Sequence, residues 1–241
     1  MRWKRTSALL VFAACGGGAK AVPVASTPPP RPPTRVVVED KEPEEGVTIA
    51  HARGHVEEAE RKLSPLHGEL SHCYTSRVGR RRWLGGRVKL HWNVAADGTI
   101  DKVVLAESDL GAWPIEKCLV DVARTAAFGA PVGGVADVSL PLEFKPPDPV
   151  EAWDDERVDK AIGKQLVKLD ACGKTEPPPD DVIITLYVGW RGKAQSVGFA
   201  SANSEIAETW AECIQKTVLA WRLPDPKGVI AKLAIKYRGA R

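Results

Sequence analysis

VKLHWNVAADGTIDKVVL, running from Val88 to Leu105, decides the fold. Val88, Leu90, Trp92 and Val94 alternate with Lys89, His91 and Asn93. That is the period of a strand with one buried face and one wet face. Asp97 and Gly98 supply a tight turn, because glycine accepts the positive φ that such turns need. The stretch predicts a β-hairpin, and the pattern returns without a gap in the second half of the chain. Val182, Ile184, Leu186 and Val188 match the first strand, Gly192 matches Gly98, and Val197 and Phe199 match Val103 and Leu105. Ile100 and Val103 have opposite parity, so strict alternation cannot put both on one face. Either Ile100 belongs to the turn or a bulge intervenes. Ala194 and Val197 pose the same question in the second copy.

Outward from the hairpin, helices flank both copies. In the first, Val56, Leu63, Leu66 and Leu70 fall at helical spacing over residues 55–77. Pro65 is awkward inside a helix, so the main helix is expected to start near Ser64 as N-cap, after a separate short piece. Residues 114–127 suit a second helix with Ile115, Cys118, Leu119 and Val122 on one face. Val138, Leu140, Leu142 and Phe144 then alternate as a third strand. Pro141 within it points to a backbone position facing an open edge. The second half repeats this order. A helix is expected from Asp154 to about Cys172, then the second hairpin. A helix from Glu205 to about Ala220 follows, with Trp210, Ile214 and Val218 inward, and a last strand carries Leu233, Ile235 and Tyr237. The expected fold class is α+β, in two tandem α-β-β-α-β modules. Each would be a small antiparallel sheet with two helices on one face.

The N-terminus reads differently. Arg2, Lys4 and Arg5 precede a short apolar run that ends in Phe12, Ala13, Ala14, Cys15 and Gly16. The run is too short to span a bilayer, which needs roughly 20 residues. It resembles a bacterial lipoprotein signal, with Cys15 as the residue to be lipidated; Phe12 stands where that family prefers an aliphatic residue. An ordinary secretory signal is the competing reading. Gly16, rather than an acidic residue, follows the cysteine, which by the same resemblance implies the outer membrane. Three glycines, a proline run from Pro28 to Pro33 and an acidic run from Glu39 to Glu45 come next. Such a composition cannot bury a core and acts as a tether, reaching on the order of 90 Å if extended at about 3.1 Å per residue. The expected organisation is a signal over 1–15, a tether over 16–50, and modules over 51–147 and 148–241.

Cysteine usage fits export. Five cysteines leave an odd one, and Cys15 is that one. Cys73 and Cys118 flank the first hairpin as Cys172 and Cys213 flank the second. In an oxidising compartment the pairing that respects the repeat is Cys73 with Cys118 and Cys172 with Cys213. Reduced, buried cysteines are the alternative.

No catalytic set emerges. There is no G-x-S-x-G elbow, no phosphate-binding G-x-x-x-x-G-K-[ST] loop and no C-x-x-C. His51 and His55 stand four apart, but without an H-E-x-x-H pattern they read as a solvated pair. A net charge of +3, from 34 basic against 31 acidic side chains, lacks the basic excess of a nucleic-acid binder. No cofactor, metal or small-molecule substrate is expected. Arg81 and Arg82 beside Trp83, and Trp190 in the second turn, are the candidate partner contacts; a solvated loop is the competing reading for the arginines.

These segments together resemble a known family. Leu70 to Tyr74, Gly86 to Trp92, Asp97-Gly98, Glu116 to Leu119 and Pro141 to Phe144 are similar to the AgmX/PglI C-terminal domain, a relative of the TonB C-terminal domain. The likeness covers residues 63–145 and extends more faintly over 162–238, where Gly173 stands in place of Tyr74. It implies a small antiparallel sheet with two helices on one face. It also implies an envelope protein of the gliding-motility and energy-transducer kind, whose relatives couple to partners by strand addition. This chain carries the lipidation signal instead of an inner-membrane helix. The leading expectation is therefore a non-enzymatic outer-membrane lipoprotein facing the periplasm and binding an envelope protein. A structural scaffold subunit is the second reading, and a hydrolase whose site follows no motif is the third.

Overall fold

The computed structural model describes residues 48–50, 54–174 and 176–238. Cys15, His51 and the tether before Thr48 lie outside them. All described residues belong to one compact unit. The fold is α+β, with two small sheets and, among the described residues, five α-helices.

The first sheet holds β1 (Thr48–Ala50), β2 (Gly86–Val94), β3 (Ile100–Ser108) and β4 (Ala136–Phe144), in the order β1-β4-β2-β3. Its helices are α1 (Ala59–Leu63), α2 (His67–Val78) and α3 (Trp113–Ala123). The second sheet holds β5 (Glu151–Ala152), β6 (Val182–Val188), β7 (Ala194–Ser201) and β8 (Ala231–Tyr237), in the order β5-β8-β6-β7. Its helices are α4 (Asp155–Ile162) and α5 (Glu208–Leu219).

Alternation in the first hairpin does what its period demands. Val88, Leu90, Trp92 and Val94 are buried against Leu63, Leu66, Leu70, Ile115 and Leu119. Each fully buried Leu or Val stabilises by roughly 1.5–3 kcal/mol. The parity question resolves as a bulge in both copies. Val94 pairs with Ile100 but Asn93 pairs with Lys102, leaving Asp101 unopposed. Likewise Val188 pairs with Ala194 and Tyr187 with Ser196, leaving Gln195 unopposed. The disulfides join Cys73 to Cys118 and Cys172 to Cys213.

Several expectations need correction. Ser64 is not an N-cap: its own φ and ψ are helical, it closes α1 as its C-cap, and it opens a 3-10 turn, Ser64–Leu66, that joins α1 directly to α2. Pro65 sits in the first turn of that segment, where its missing N–H costs little. Helix α4 ends at Ile162 rather than near Cys172. Two 3-10 turns, Leu166–Lys168 and Cys172–Lys174, carry the chain onward and still bury Leu169. Helix α5 starts at Glu208, leaving Glu205 free for another role. Each sheet gains a fourth strand. Residues Thr48–Ala50, assigned by composition to the tether, pair antiparallel with Asp137, Val138 and Ser139. Strand β5 pairs parallel with β8, so the second sheet is mixed rather than antiparallel. A two-residue parallel pairing needs no hydrophobic period, so it leaves no mark on the sequence.

The two sheets share their side chains. Trp113, at the start of α3, packs in the second core with its ring centroid 5.5 Å from that of Phe199. Tyr187, on β6, packs in the first core, 4.7 Å from Trp83, and its hydroxyl donates to the Gly85 carbonyl at 2.7 Å.

Candidate functional site

Four strand edges decide what this molecule can present to a partner, because an unpaired edge is a row of free backbone donors and acceptors. The edges of β3 and β7 lie at the junction of the sheets and are capped there by carboxylates. Glu205 accepts the Val103 N–H at 3.3 Å and pairs with Arg124 at 3.3 Å. Glu116 accepts the Phe199 N–H at 2.8 Å, together with the Ser108 hydroxyl at 2.7 Å and the Gly111 N–H at 3.1 Å.

Glu116 is 0% exposed. Burial pushes its carboxyl up to about 7, although the Ser108, Phe199, Ala112 and Gly111 donors pull the other way. A Cβ at Gly198 would collide with this carboxylate, so that position needs glycine. Ser196 donates to the Gly111 carbonyl at 2.7 Å, and Lys232 reaches the Gly85 carbonyl and Asp109, both at 3.2 Å. A cavity of about 300 Å³ opens beside this seam, with Val103, Trp113 and Val120 in its lining. Its charges compensate one another: Lys117 pairs with Asp121 and Glu208, and Arg124 with Asp121 and Glu205.

The outer edges differ. On β4, β1 pairs as far as Ser139; among the described residues no strand pairs with the outer side of Leu140 to Phe144. Pro141 lies in this stretch, where the sequence placed an open edge. Leu142 and Phe144 are half-buried, and Phe144 stacks on Tyr74 with ring centroids 4.7 Å apart. On β8, β5 pairs only at Ala231 and Lys232. The rest of that edge carries exposed Lys236 and Arg238, both drawn to Asp181, at 3.7 and 2.7 Å. Charged lysines on an edge blunt strand pairing.

The open face of the first sheet gathers Ser139, His91, Asp137 and Asn93. His91 Nδ1 lies 2.9 Å from Ser139 Oγ, and Nε2 lies 3.5 Å from Asp137 Oδ1. Asn93 donates to Asp137. The residue types are those of a hydrolytic triad, but the register explains the grouping without chemistry: His91 faces Ser139, and Asn93 faces Asp137, as direct cross-strand neighbours. Ser139 is 7% exposed, and its backbone is flanked by β1 and β2. The serine is thus poorly reached and lies within a paired sheet, where amides are not free to form an oxyanion hole. Burial lowers the pKa of His91, which Asp137 partly opposes, so the site favours the neutral ring.

The predicted contact residues are scattered. Arg81 is half-buried and closes the end of α2, donating to the Val78 carbonyl at 3.1 Å and to that of Arg77; burial lowers its pKa. Arg82 is exposed and pairs with Asp148 at 3.1 Å. Trp190 is 68% exposed at the tip of the β6–β7 hairpin. Among the described residues no hydrogen bond, ion pair or ring contact links Trp190 to either arginine. No helix among the described residues is long and apolar enough to cross a membrane. The two disulfides are consistent with an exported, non-cytoplasmic protein.

Sequence reasoning missed the two capping carboxylates. A glutamate on the apolar side of α3, one residue after Ile115, is the signal that marked Glu116. Comparisons with protein-family models, with characterised proteins and with solved structures find no match to this chain.

Proposed function

We propose that the chain is a non-enzymatic outer-membrane lipoprotein, anchored at Cys15 and related to the AgmX/PglI and TonB C-terminal domains. Its two α-β-β-α-β units form one body in the periplasm. It binds an extended segment of an envelope protein as an added strand on the outer edge of β4. The observation that carries this reading is the edge itself. It already accepts an antiparallel strand, β1, from this same chain, and beyond Ser139 it continues past half-buried Leu142 and Phe144. In strand addition, backbone hydrogen bonds provide affinity and alternate side chains provide specificity. Leu142, Phe144 and Tyr74 offer the apolar contact that the lysine-bearing β8 edge does not.

A photo-crosslinking residue placed at Glu143, on this edge, should trap an envelope protein in intact cells. The same residue at Asp101, in the distant bulge, should not. Equal trapping from both positions, or none from Glu143, overturns the reading. The scaffold reading is favoured by the capped edges of β3 and β7, where hydrogen bonds tie the two sheets together. It predicts that Leu142→Lys leaves every envelope contact of the protein unchanged, whereas strand addition predicts that the Glu143 adduct is lost.

A further inference from the structure

We propose that the tip of the β6–β7 hairpin docks on the surface of an anionic phospholipid bilayer. Trp190 projects there at 68% exposure, while Trp92, Trp113, Trp153, Trp210 and Trp221 are buried and Trp83 is half-buried. The turn that carries it is firmly built. Gly189 donates to the Lys193 carbonyl at 2.9 Å, and Gly192 donates to the Gly189 carbonyl at 3.0 Å. Arg191 adopts a left-handed conformation, with its guanidinium carbon 4.1 Å above the Trp190 ring. Below the tip, the Leu223 N–H donates to the Gly192 carbonyl at 2.8 Å, and Lys193 bridges Arg222. Ala231 pairs with Val188, which brings the preceding Val229, 47% exposed, to the same end of the sheet.

Charge sorts in one direction at this end. Arg191, Lys193, Arg222 and Lys227 are all exposed. Across 189–195 and 220–230 the one acidic residue is Asp225, whose carboxylate accepts the Lys227 N–H at 2.9 Å. An indole prefers the interface between headgroups and acyl chains, where its apolar ring is buried and its N–H stays wet. Each basic residue held near an anionic surface raises partitioning by roughly fivefold. A convex tip of one tryptophan, one valine and four basic side chains matches a planar, negatively charged surface. A protein hot spot, by contrast, commonly sits in a concave pocket. This inference does not depend on the β4 edge.

The test is vesicle sedimentation with the full chain carrying Cys15→Ser, so that no acyl chain contributes. Vesicles of phosphatidylcholine alone are compared with vesicles containing phosphatidylglycerol. Binding should favour the anionic vesicles and weaken with added salt. Arg191→Ser with Lys193→Ser should lower that binding roughly 30-fold, and Arg222→Ser alone roughly fivefold. With brominated lipid, the parent's tryptophan emission should be quenched more than that of Trp190→Tyr. Equal affinity for both vesicle types, no binding, or identical behaviour of parent and variants would each overturn the proposal. Unchanged near-ultraviolet circular dichroism confirms that the variants are folded.

Discussion

Strand β2 and strand β6 hold the same place in two sheets of the same order, yet their environments differ. Lys89, His91 and Asn93 line a half-wet face of the first sheet, where they pair with Glu107, Ser139 and Asp137. The corresponding residues of β6 are Ile183, Thr185 and Tyr187, and the last two are buried. Thr185 reaches the Ser108 carbonyl at 3.4 Å, and Tyr187 enters the core of the first half. Strand β2 is therefore covered on one face and β6 on both. The difference is written in the side chains. A strand that alternates polar and apolar faces water on one side, whereas a nearly continuous apolar strand is enclosed. Duplication of a pattern thus does not duplicate its surroundings.

The contrast can be broken most sharply by exchanging the outer residues of the two strands. Tyr187→Asn should cost about 4 kcal/mol, because it empties a buried aromatic site and removes the shorter of the two hydrogen bonds to the Gly85 carbonyl, leaving only Lys232. The reciprocal Asn93→Tyr, on the wet face, should stay within about 1 kcal/mol. Urea denaturation measures both, and similar costs would mean that the two faces are equally enclosed.

The disulfides should show the two halves behaving alike. Their sequence separations are 45 and 41 residues. In the chain-entropy model each closes a loop worth about 4 kcal/mol. Replacing either pair by serine should lower stability by a similar amount. A twofold disparity would show that one half is already held together by other means.

Glu116 should give the seam a pH dependence. Its carboxyl is raised from 4.5 to about 7 in the folded protein. Between those values the folded chain binds more protons than the unfolded one, so stability falls as pH rises through the window. The full loss, about 3 kcal/mol, is present above pH 7 and absent below 4.5. Glu116→Gln should carry a constant cost, since its amide turns N–H groups toward existing donors, but should flatten this slope. Stability measured at several pH values checks the change in slope rather than the offset.

The smallest effect concerns the indoles. Trp92 donates to the Ala123 carbonyl at 2.8 Å, whereas the Trp210 N–H is buried with no hydrogen-bond partner. Trp92→Phe should therefore cost about 1 kcal/mol more than Trp210→Phe, because only the first loses a hydrogen bond, while the Ala123 carbonyl keeps the Ala126 N–H. Equal costs in thermal denaturation would remove this distinction.

Much of the fold is legible in the sequence. The hairpins followed from period-two alternation. The parity conflicts between Ile100 and Val103 and between Ala194 and Val197 were legible too, but they left a turn residue or a bulge as alternatives, and the strand register decided for the bulge. The cysteine pairs followed from the repeat. Helix limits were less legible, because Pro65 and Gly163, the residue that closes α4, act through the local backbone and leave the apolar spacing intact. The edge strands were not legible, since Thr48–Ala50 and Glu151–Ala152 are too short to carry a period. Glu116 stood in the sequence on the apolar side of α3, but its donors at Phe199 and Gly111 lie on other elements and could not be read from that helix.

What this sequence determined by itself is the set of local preferences: which residues alternate, where the chain turns, which cysteines lie within reach of each other. These depend on near neighbours and on a buried face of fixed period. Only the tertiary structure decided which edges remain open, which polar groups lose their water, and how far Trp190 projects. Those outcomes depend on what the other half of the chain brings against a surface. The hydrogen bonds of Glu116 and Tyr187 span up to 102 residues of sequence, so no local pattern can encode them.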